Sequence, residues 1–527
     1  MISSRCIGTS GVPPLAHLEA TDVQKLDFDI LVIGGGINGA GIARDAAGRG
    51  YSVLLCEKDD LAQHTSSAST KLIHGGLRYL EYYEFGLVRK ALQEREVLLR
   101  SAPHIMWPLR FVMPHNRAMR PALLIRAGLF LYDHLARREI LRGSRTINLH
   151  RHPAGSPLKP SFGRGFVYSD GWVQDARLVA LCAMDAAEHG AAVHTRTRCI
   201  AATREATGWL VTLQATTGQT WQVRARSLVN AAGPWVGEVL GTVTQRNAAR
   251  RVRLVKGSHI IVPRLYDHHY AYIFQNPDKR IIFAIPFEQD FTLIGTTDIE
   301  YTGDPGLVRA DEDEINYLCD MASSYFRHRI KPADVVWHYS GVRPLLDDES
   351  SNASSVTRDY ALECDTDGAP LLSVFGGKIT TFRKLAEEAV DRLQSLLGGG
   401  QPAWTAQAVL PGGDIPGADY DAFCQHIQTR HPWLDPVLTH RYTRAYGTRC
   451  ERILAGCHAM ADLGEEILPG LYEAEARYLV DNEWARTAAD MLWRRSKLGL
   501  KALKDGEQRL SDWLDKHQGH HSSPDAA

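Results

Sequence analysis

A glycine-rich turn between two apolar segments constrains the fold of this chain most strongly. Residues 28–33 read FDILVI and are followed at once by GGGINGAGIARDAAGRG. The apolar run predicts a strand, and the small residues over 37–47 predict a helix that packs closely. Gly34, Gly36 and Gly39 fit the GxGxxG spacing: the first permits the turn, the second lets a pyrophosphate approach the backbone, and the third lets helix pack on strand.

The residues after this helix indicate which dinucleotide is bound. The segment 51–56, YSVLLC, predicts a second strand, and it is followed by Glu57. An acidic side chain here accepts hydrogen bonds from ribose hydroxyls and repels a 2′-phosphate, which favours FAD or NAD over NADP. Further glycine-rich turns follow at 228–235, LVNAAGPW, and within 371–390. Because the cofactor then spans several distant segments, FAD fits better than NAD.

The segment 371–390, LLSVFGGKITTFRKLAEEAV, predicts a strand that leads through Gly376 and Gly377 into a helix. Apolar residues recur at helical spacing after this turn, and Thr380 and Thr381 fall in the predicted first helical turn. A helix N-terminus aimed at the flavin pyrimidine edge would stabilise the negative charge that gathers there on reduction. The alternative is an ordinary capped helix packed on a sheet.

Composition limits the remaining function classes. The 527 residues exceed one ordinary core, so two or three domains are expected. With 60 basic and 61 acidic residues, the chain has no general attraction to nucleic acid, so an anionic partner must meet a local cluster. Nine scattered cysteines without zinc-type spacing predict a reduced compartment and no structural metal.

One short span gathers the charges that such an anion needs. Residues 66–86, SSASTKLIHGGLRYLEYYEFG, place Lys71, His74, Arg78 and Tyr79 around a glycine pair. A surface loop has little reason to combine these groups, so the span predicts contact with a ligand.

Two segments bear on membranes and partners. No run of about 18 apolar residues is present, which excludes a spanning helix of the usual kind. The segment 121–135, PALLIRAGLFLYDHL, is flanked by arginines and predicts either an interfacial helix or a buried helix with a basic exposed face. A further helix is predicted over 478–500, touching lipid or a partner subunit or packing on the nucleotide-binding domain.

These motifs together resemble the FAD-dependent (aerobic, respiratory) glycerol-3-phosphate dehydrogenases, within the wider D-amino-acid-oxidase-like flavoprotein group. The resemblance runs from about residue 27 to 500. It is carried by IGGGINGAGIARDAAGRG, TSSASTKLIHGGLRYLEYYEFGLV, APHIMWPLRFVMPH, GLFLYDHL, NAAGPWV, KGSHIIVPR, IGTTDIEY, YSGVRPLLDD, TRDY, LLSVFGGKITTFRKLAE and LWRRSKLGL. The segment NAAGPW stands where the family pattern has NATGPW, a small-residue exchange that should leave flavin binding intact.

The resemblance implies an α/β (α+β) fold: an FAD domain of the two-dinucleotide-binding type, an antiparallel-sheet substrate cap and an α-helical C-terminal domain. The expected boundaries are a disordered tail at 1–26, the oxidoreductase domain at 27–397, the helical domain at 404–515 and a disordered tail at 516–527. Within 27–397 the flavin segments are expected at about 28–76, 165–240 and 340–397, with the cap inserted between them. Residues 281–285 and 291–295 predict antiparallel strands of that cap.

The family's activity is the oxidation of sn-glycerol 3-phosphate at C2 to dihydroxyacetone phosphate, with FAD taking the hydride and electrons passing to a membrane quinone. The resemblance implies a peripheral protein on the inner face of the cell membrane, in the cytoplasm, and allows a homodimer. No nucleic acid or metal is expected. The alternatives are an oxidase that hands electrons to oxygen, a flavin dehydrogenase for a carboxylate substrate, and a non-catalytic flavin-binding protein.

The family pattern also assigns substrate residues. A phosphate dianion favours forked guanidinium and ammonium donors, and the matching candidates are Arg78, Arg343, Arg358 and Lys378. His259 is the predicted base for the C2 hydroxyl proton; its alternative is a satisfied core histidine. Arg343 could instead stabilise alkoxide character, leaving phosphate to Arg358 and Lys378. Tyr79 and Thr296 complete the predicted substrate wall.

The remaining predicted contacts belong to the cofactor. In the family pattern, Ser66, Ser67, Thr70 and Lys71 wrap the FAD pyrophosphate and ribityl region. Gly75 and Gly76 bring backbone against the isoalloxazine, and Ala232 and Gly233 allow a further close approach. His74 either lies beside the flavin or hydrogen-bonds the loop.

Overall fold

The structure is a computed structural model that describes residues 27–116, 119–246, 250–276, 278, 280–346 and 359–518. The tail predicted at 1–26 lies outside the described residues, and the one predicted at 516–527 does so from residue 519. The strands are β1 Phe28–Ile33, β2 Val53–Cys56, β3 Leu72–Ile73, β4 Met106–His115, β5 Arg145–Asn148, β6 Arg164–Val173, β7 Ala192–His194, β8 Thr197–Arg204, β9 Trp209–Ala215, β10 Thr220–Asn230, β11 Val252–Pro263, β12 Ala271–Gln275, β13 Ile281–Phe287, β14 Phe291–Gly295, β15 Ile299–Glu300, β16 Trp337–Leu346, β17 Tyr360–Asp365, β18 Leu371–Gly376, β19 Glu466–Leu468 and β20 Leu471–Tyr472.

The helices are α1 Ile37–Gly48, α2 Phe85–Ser101, α3 Ala122–His134, α4 Asp175–Glu188, α5 Val236–Glu238, α6 Glu312–Tyr325, α7 Phe382–Leu397, α8 Tyr420–Arg430, α9 Pro436–Tyr446, α10 Cys450–Ile453, α11 Glu473–Glu483 and α12 Gly506–Gln518.

The first sheet has the strand order β17-β18-β10-β1-β2-β7, with β9 and β8 added antiparallel to β10 and to each other. Its central pairs are parallel, and β2, β18 and the second halves of β1 and β10 are buried, as expected for strands covered on both faces. Helix α1 packs against α4 and α7, and a Cβ on Gly41 would lie 2.8 Å from Cδ2 of Phe382. The small residues of α1 therefore permit the close helix packing that the sequence predicts.

The second sheet has the order β15-β11-β14-β13-β12-β4-β6-β3, with β16 on β11 and β5 on β6. Its pairs are antiparallel except β4 with β12. The predicted antiparallel pair at 281–285 and 291–295 is confirmed as β13 and β14. The segments predicted at 165–240 and 340–397 each begin with a strand of this second sheet, β6 and β16, and then continue into the first.

The C-terminal part contains α8 to α12 and the small β19–β20 hairpin around a core of its own. The continuous helix predicted over 478–500 is wrong. Helix α11 ends at Glu483, Trp484 has a φ of +54°, and a π-helical turn forms at 490–495. The break has a local cause, because the Asp490 carboxylate accepts hydrogen bonds from the backbone N–H groups of Arg486 and Thr487 and starts a new turn.

A chain of buried charges joins the C-terminal part to the first sheet's side of the molecule. Arg177 on α4 forms a two-pronged ion pair with Glu483 on α11. Arg495 pairs through Nη1 and Nη2 with Asp60 at 2.6 and 2.8 Å and donates from Nε to the Glu483 carbonyl oxygen at 3.0 Å. These four side chains are almost fully buried. The predicted alternative that this region packs on the nucleotide-binding domain is therefore the one observed.

We expect Glu483→Gln to destabilise the protein strongly. Removing one member of a buried ion pair leaves its partner uncompensated, at a cost of about 3–5 kcal/mol. The measurement is the urea midpoint of unfolding, followed by circular dichroism. Arg477→Gln on the same helix is the matched control, because the Arg477–Glu473 pair is exposed and contributes about 0–1 kcal/mol. Equal midpoints for the two variants would contradict the role given to the buried chain.

Candidate active site

Two adjoining cavities, of about 270 and 280 Å³, open where the two sheets meet. Both are lined by Ile37, Thr65, Ser66, Pro344 and Gly377. The predicted residues that line the first cavity are Gly34, Gly36, Glu57, Ser66, Ala232, Gly233, Gly376 and Gly377. Those that line the second are Ser66, Thr70, Gly76, Arg78, Tyr79, His259, Thr296, Arg343, Gly377, Lys378 and Thr380. Residues far apart in the chain thus converge on one divided site.

The glycine-rich turn forms one wall of the first cavity. Gly34 has a φ of +111°, and a Cβ there would lie 2.6 Å from the Ala231 carbonyl oxygen. Gly39 does not line the cavity; its missing Cβ lets α1 begin close to the turn, since a Cβ would lie 1.9 Å from the Gly34 carbonyl oxygen. Gly36 faces the cavity, so the backbone there is open to a pyrophosphate as the spacing predicts.

Glu57 lies at the end of β2 beside this turn. Its carboxylate accepts hydrogen bonds from Gly35 N–H at 2.6 Å and Asp59 N–H at 2.9 Å. Burial raises the pKa of Glu57, and the two N–H donors oppose that rise. The carboxylate lines the cavity, so its predicted contact with ribose hydroxyls is sterically open.

Asn38 was not identified from the sequence, although it is a polar residue in the otherwise small and apolar start of α1. Its Nδ2 donates to the Gly376 carbonyl oxygen at 3.1 Å, which joins α1 to the end of β18. Its Oδ1 is buried without a hydrogen-bond partner in the described part of the chain. Together with the glycine cradle and Glu57, this unsatisfied acceptor fits a dinucleotide cofactor across the two cavities.

The second cavity is walled on one side by β11, β16 and the end of β14. His259 on β11 is buried, stacks on Tyr339 of β16 at 4.8 Å between ring centroids, and makes a 2.9 Å hydrogen bond from Nε2 to the Thr70 hydroxyl. Its pKa lies well below the ordinary histidine value because of burial and the nearby charges of Arg343 and Lys71. His259 is therefore neutral near pH 7 and able to accept a proton.

Arg343 on β16 reaches the same cavity. Its guanidinium forms an ion pair with Asp298 and donates from Nη2 to the Thr296 hydroxyl at 3.0 Å. Asp298 was missed from the sequence, although it lies two residues after Thr296 in IGTTDIEY and so shares its side of an extended chain. A Cβ on Gly257 would lie 2.2 Å from Arg343 Nη2, so glycine at this position makes room for the guanidinium.

The opposite wall carries further positive charge. The Lys378 ammonium lies 4.0 Å from the ring centroid of Tyr79, and Arg78 donates to the Tyr82 hydroxyl at 3.5 Å. Three cationic side chains thus line the second cavity, together with the carboxylates of Asp298 and Asp170. Arg358 lies outside the described residues, and its predicted phosphate contact stays a prediction.

Five predicted cofactor residues do not line either cavity: Gly39, Ser67, Lys71, Gly75 and Thr381. Lys71 is buried with a φ of +61°, and its ammonium donates to Asp175 at 2.8 Å and to the Ser67 carbonyl oxygen at 3.0 Å. It therefore fixes the loop from inside rather than facing the cavities. A Cβ on Gly75 would lie 2.4 Å from Leu92 Cδ2, so this glycine permits close packing of the loop.

The placement of Thr380 and Thr381 in a first helical turn is wrong, because α7 begins at Phe382 and Thr381 is its N-cap residue. The Thr380 hydroxyl instead accepts a hydrogen bond from His74 N–H at 3.2 Å. The side chain of His74 lines the second cavity. The strand-to-helix turn is thus tied directly to the loop at 65–79.

Comparison with known proteins agrees with this architecture. Residues 29–383 match the family described as FAD dependent oxidoreductase, and residues 403–518 match the C-terminal domain of alpha-glycerophosphate oxidase. The chain is 53% identical over 514 residues to a glycerol-3-phosphate dehydrogenase of Pseudomonas aeruginosa, covering 97% of this chain and 99% of that one. It is 54% identical over 489 residues to a D-erythritol 1-phosphate dehydrogenase of Brucella abortus, covering 92% and 97%.

Among solved structures, the glycerol-3-phosphate dehydrogenase of Bacillus halodurans complexed with FAD is similar, with a TM-score of 0.73 and 25% identity, covering 94% of each chain. The fold and the divided site define a flavin-dependent oxidoreductase with a second cavity that several cationic side chains line. The chain belongs to the FAD-dependent oxidoreductase family. The predicted fold class and FAD cofactor are thereby confirmed.

We expect Gly257→Ala to reduce turnover without loss of the fold, because the added methyl group displaces the Arg343 guanidinium. A displacement of this kind costs on the order of 10²-fold in rate. The measurement is the rate of flavin reduction by substrate, at equal FAD content. Gly128→Ala on α3 is the control, since a Cβ there meets no atom within 4 Å. A Gly257→Ala protein as active as wild type would contradict the placement of Arg343.

Proposed function

We propose that this protein oxidises sn-glycerol 3-phosphate at C2 to dihydroxyacetone phosphate and passes the electrons to a membrane quinone. The observation that carries the proposal is the second cavity, where a buried neutral histidine lies among three cationic side chains beside the cofactor-binding turn. The names of the relatives support it, since three bacterial proteins that are 50–53% identical are called glycerol-3-phosphate dehydrogenase.

The cationic side chains have two different roles: one stabilises the oxygen at C2 of the substrate, and the others bind its phosphate. The positive charge of Arg343 is offset by Asp298 and its direction is fixed by Thr296. It therefore acts as an oriented donor that stabilises developing alkoxide character at C2. Arg78 makes no ion pair in the described ranges, and Lys378 lies beside it on the opposite wall. These two bind the phosphate, with Arg358 as the third candidate and Tyr79 as a hydroxyl partner.

His259 takes the hydroxyl proton. Its Nε2 forms a hydrogen bond with the hydroxyl of Thr70, which lines the same cavity, while Nδ1 is buried and has no hydrogen-bond partner in the described part of the chain. Burial and the charges of Arg343 and Lys71 lower the pKa of His259, so the imidazole is neutral near pH 7. The same lowered pKa makes it a weaker base, and the negative charge of a bound phosphate would oppose that effect. FAD, when bound, accepts the hydride from C2. If the flavin pyrimidine edge lies toward the N-terminus of α7, that helix end would favour the negative charge that reduction adds.

The test uses the purified holoprotein under anaerobic conditions. We expect sn-glycerol 3-phosphate to bleach the visible flavin absorbance and a soluble quinone to restore it. His259→Gln should keep its FAD but be reduced about 10²–10⁴-fold more slowly, the usual contribution of a general base. His268→Gln is the control, because His268 is a partly buried histidine outside both cavities. An unbleached wild-type flavin would refute the substrate assignment, and rapid oxidation by oxygen alone would favour an oxidase.

A second candidate is oxidation of D-erythritol 1-phosphate. The Brucella abortus relative with that name is 54% identical to this chain, as similar as the glycerol-3-phosphate dehydrogenases. Both substrates are polyol phosphates, so the cations and His259 would serve either. The ratio of kcat/KM for the two substrates decides between them, and the proposal requires the larger value for sn-glycerol 3-phosphate.

We also propose peripheral attachment to the inner face of the cell membrane. In the described ranges, no helix is long and apolar enough to cross a bilayer. Helix α3 instead buries Leu129 and Tyr132 while exposing Leu123, Leu124 and Phe130. This exposed apolar face differs from the basic exposed face of the buried-helix alternative and supports the interfacial alternative. Helix α3 also packs against the helical turn at 77–82, which lines the second cavity. A bound membrane would therefore lie next to the site of flavin reduction.

We expect the double substitution Leu123→Gln, Leu124→Gln to weaken binding to vesicles that contain anionic phospholipid. A Leu side chain transferred from water contributes about 1.5–3 kcal/mol, so the loss should exceed tenfold. Cosedimentation with the vesicles measures it. Leu307→Gln is the control, because Leu307 is 72% exposed and lies on a different part of the surface. Equal binding by the two proteins would contradict attachment through α3. The homodimer stays a prediction.

A further inference from the structure

The strands that line the second cavity carry buried polar side chains on their opposite face. Side chains alternate between the two faces of a strand, so His259 faces the second cavity and Gly257 lies on the same side against Arg343, while Lys256 and Ser258 face away. The same alternation continues after the end of β14. Thr296 and Asp298 line the cavity, and Thr297 does not. The face turned away is covered by α6.

One buried carboxylate of α6 connects these outward residues. Glu314 is 2% exposed, and its Oε1 accepts hydrogen bonds from the hydroxyls of Ser258 at 2.8 Å and Thr297 at 2.7 Å. Its Oε2 pairs with the Lys256 ammonium at 2.7 Å. The Ser258 hydroxyl also meets the Ser340 hydroxyl of β16 at 2.7 Å. Glu314 thereby connects β11 with the segment that follows β14, and the Ser258 hydroxyl extends the network to β16, the strand that carries Arg343.

The hydrogen bonds extend to the backbone between the strands. Ser258 N–H donates to the Thr297 hydroxyl at 2.9 Å, although these residues belong to different segments. Each tied residue is the immediate neighbour of a cavity residue: Ser258 precedes His259, and Thr297 stands between Thr296 and Asp298. A shift at the Glu314 network must therefore move the groups on the cavity side.

Such a network is costly compared with apolar packing. The rest of the buried face of α6 is apolar, with Leu318, Cys319 and Ala322 against the same sheet. Burying a carboxylate requires desolvation that its partners offset only when every contact is well aligned. Apolar residues at these positions would pack without that requirement but would not fix the register of three strands to hydrogen-bonding precision.

We propose that Glu314 is a positioning residue for the oxidation. It sets the backbone at 257–259 and 296–298, and so the placement of His259 and of the Arg343–Asp298 pair, without touching substrate or cofactor. This inference rests on the proposed function for its rate measurement. The proposed phosphate-binding residues, Arg78 and Lys378, lie on other segments of the chain. Their positions therefore should not depend on Glu314.

The test compares Glu314→Gln with Asp311→Asn. Both changes remove a negative charge beside Lys256, since Asp311 pairs with the same ammonium at 2.9 Å. Asparagine preserves the N-cap of α6, and Asp311 contacts neither Ser258 nor Thr297 in the described hydrogen bonds. We expect Glu314→Gln to slow flavin reduction at saturating sn-glycerol 3-phosphate by about 10–100-fold, while Asp311→Asn stays close to wild type. The dissociation constant for inorganic phosphate, from the flavin spectrum, should be unchanged in both.

A second pair of variants separates positioning from loss of charge. Thr297→Val removes the hydroxyl at nearly constant volume, and Thr297→Ser keeps it. Valine should slow flavin reduction as Glu314→Gln does, and serine should restore it. A rate near wild type in both Glu314→Gln and Thr297→Val would overturn the proposal. Loss of FAD from the Glu314→Gln protein, together with a normal rate of flavin reduction in the Thr297→Val protein, would also overturn it. The carboxylate would then support only the fold.

Hydrogen exchange keeps this test independent of the substrate. Amides at 256–259 and 296–298 should exchange faster in Glu314→Gln than in wild type or Asp311→Asn. If neither polyol phosphate reduces the wild-type flavin, the proposed function fails, and the exchange result alone decides whether Glu314 fixes these strands. Unchanged exchange in Glu314→Gln would overturn the positioning role.

Discussion

The carboxyl ends of four neighbouring strands of the first sheet meet at one edge, and the rest of the site depends on that edge. Parallel strands place their following loops together, so Glu57, Gly34, Ala231 and Gly376 become neighbours although they span more than 300 residues of sequence. The approach is close enough that Gly34 tolerates no Cβ. The cofactor site therefore depends on the order of the strands. The glycines are required as well, because only residues without a Cβ allow these backbones to come into contact.

The second sheet depends on a different constraint, the alternation of side chains along its strands. Alternation turns His259 of β11 toward the second cavity and its neighbour Ser258 toward Glu314 of α6, so adjacent residues carry the proposed base and its proposed support. Burial and the nearby charges of Arg343 and Lys71 lower the pKa of His259 and keep its imidazole neutral near pH 7. Of the three cationic side chains that line the cavity, Arg343 is the one that contributes to this lowering, and Lys71 contributes from inside the loop.

Local patterns in the sequence predicted the parts of the fold that depend on local chemistry. The strand, turn and helix at 28–48 and the helix at 122–134 follow from periodicity and from glycine spacing. The direction of Lys71 did not follow, because its partner Asp175 lies 104 residues away. The Arg343–Asp298 pair and the Glu314 network also required the pairing of distant strands. The break after Glu483 was missed because helical spacing alone does not reveal a competing carboxylate cap at Asp490.

The buried charges at the C-terminal interface link the two parts of the molecule to the cofactor. Asp60, which Arg495 holds, lies in the loop that begins with Glu57 and lines the first cavity through Lys58, Ala62 and Gln63. Ligand binding and the interface are linked through this loop. A ligand that binds only the ordered loop stabilises the interface, and the interface raises the affinity for that ligand by the same free energy. Asp60 and Arg495 are buried, so solvent cannot replace either partner while the interface is intact. Separation of the domains would break this ion pair and release the loop. The C-terminal part therefore contributes to the cofactor site without contributing a side chain to its walls.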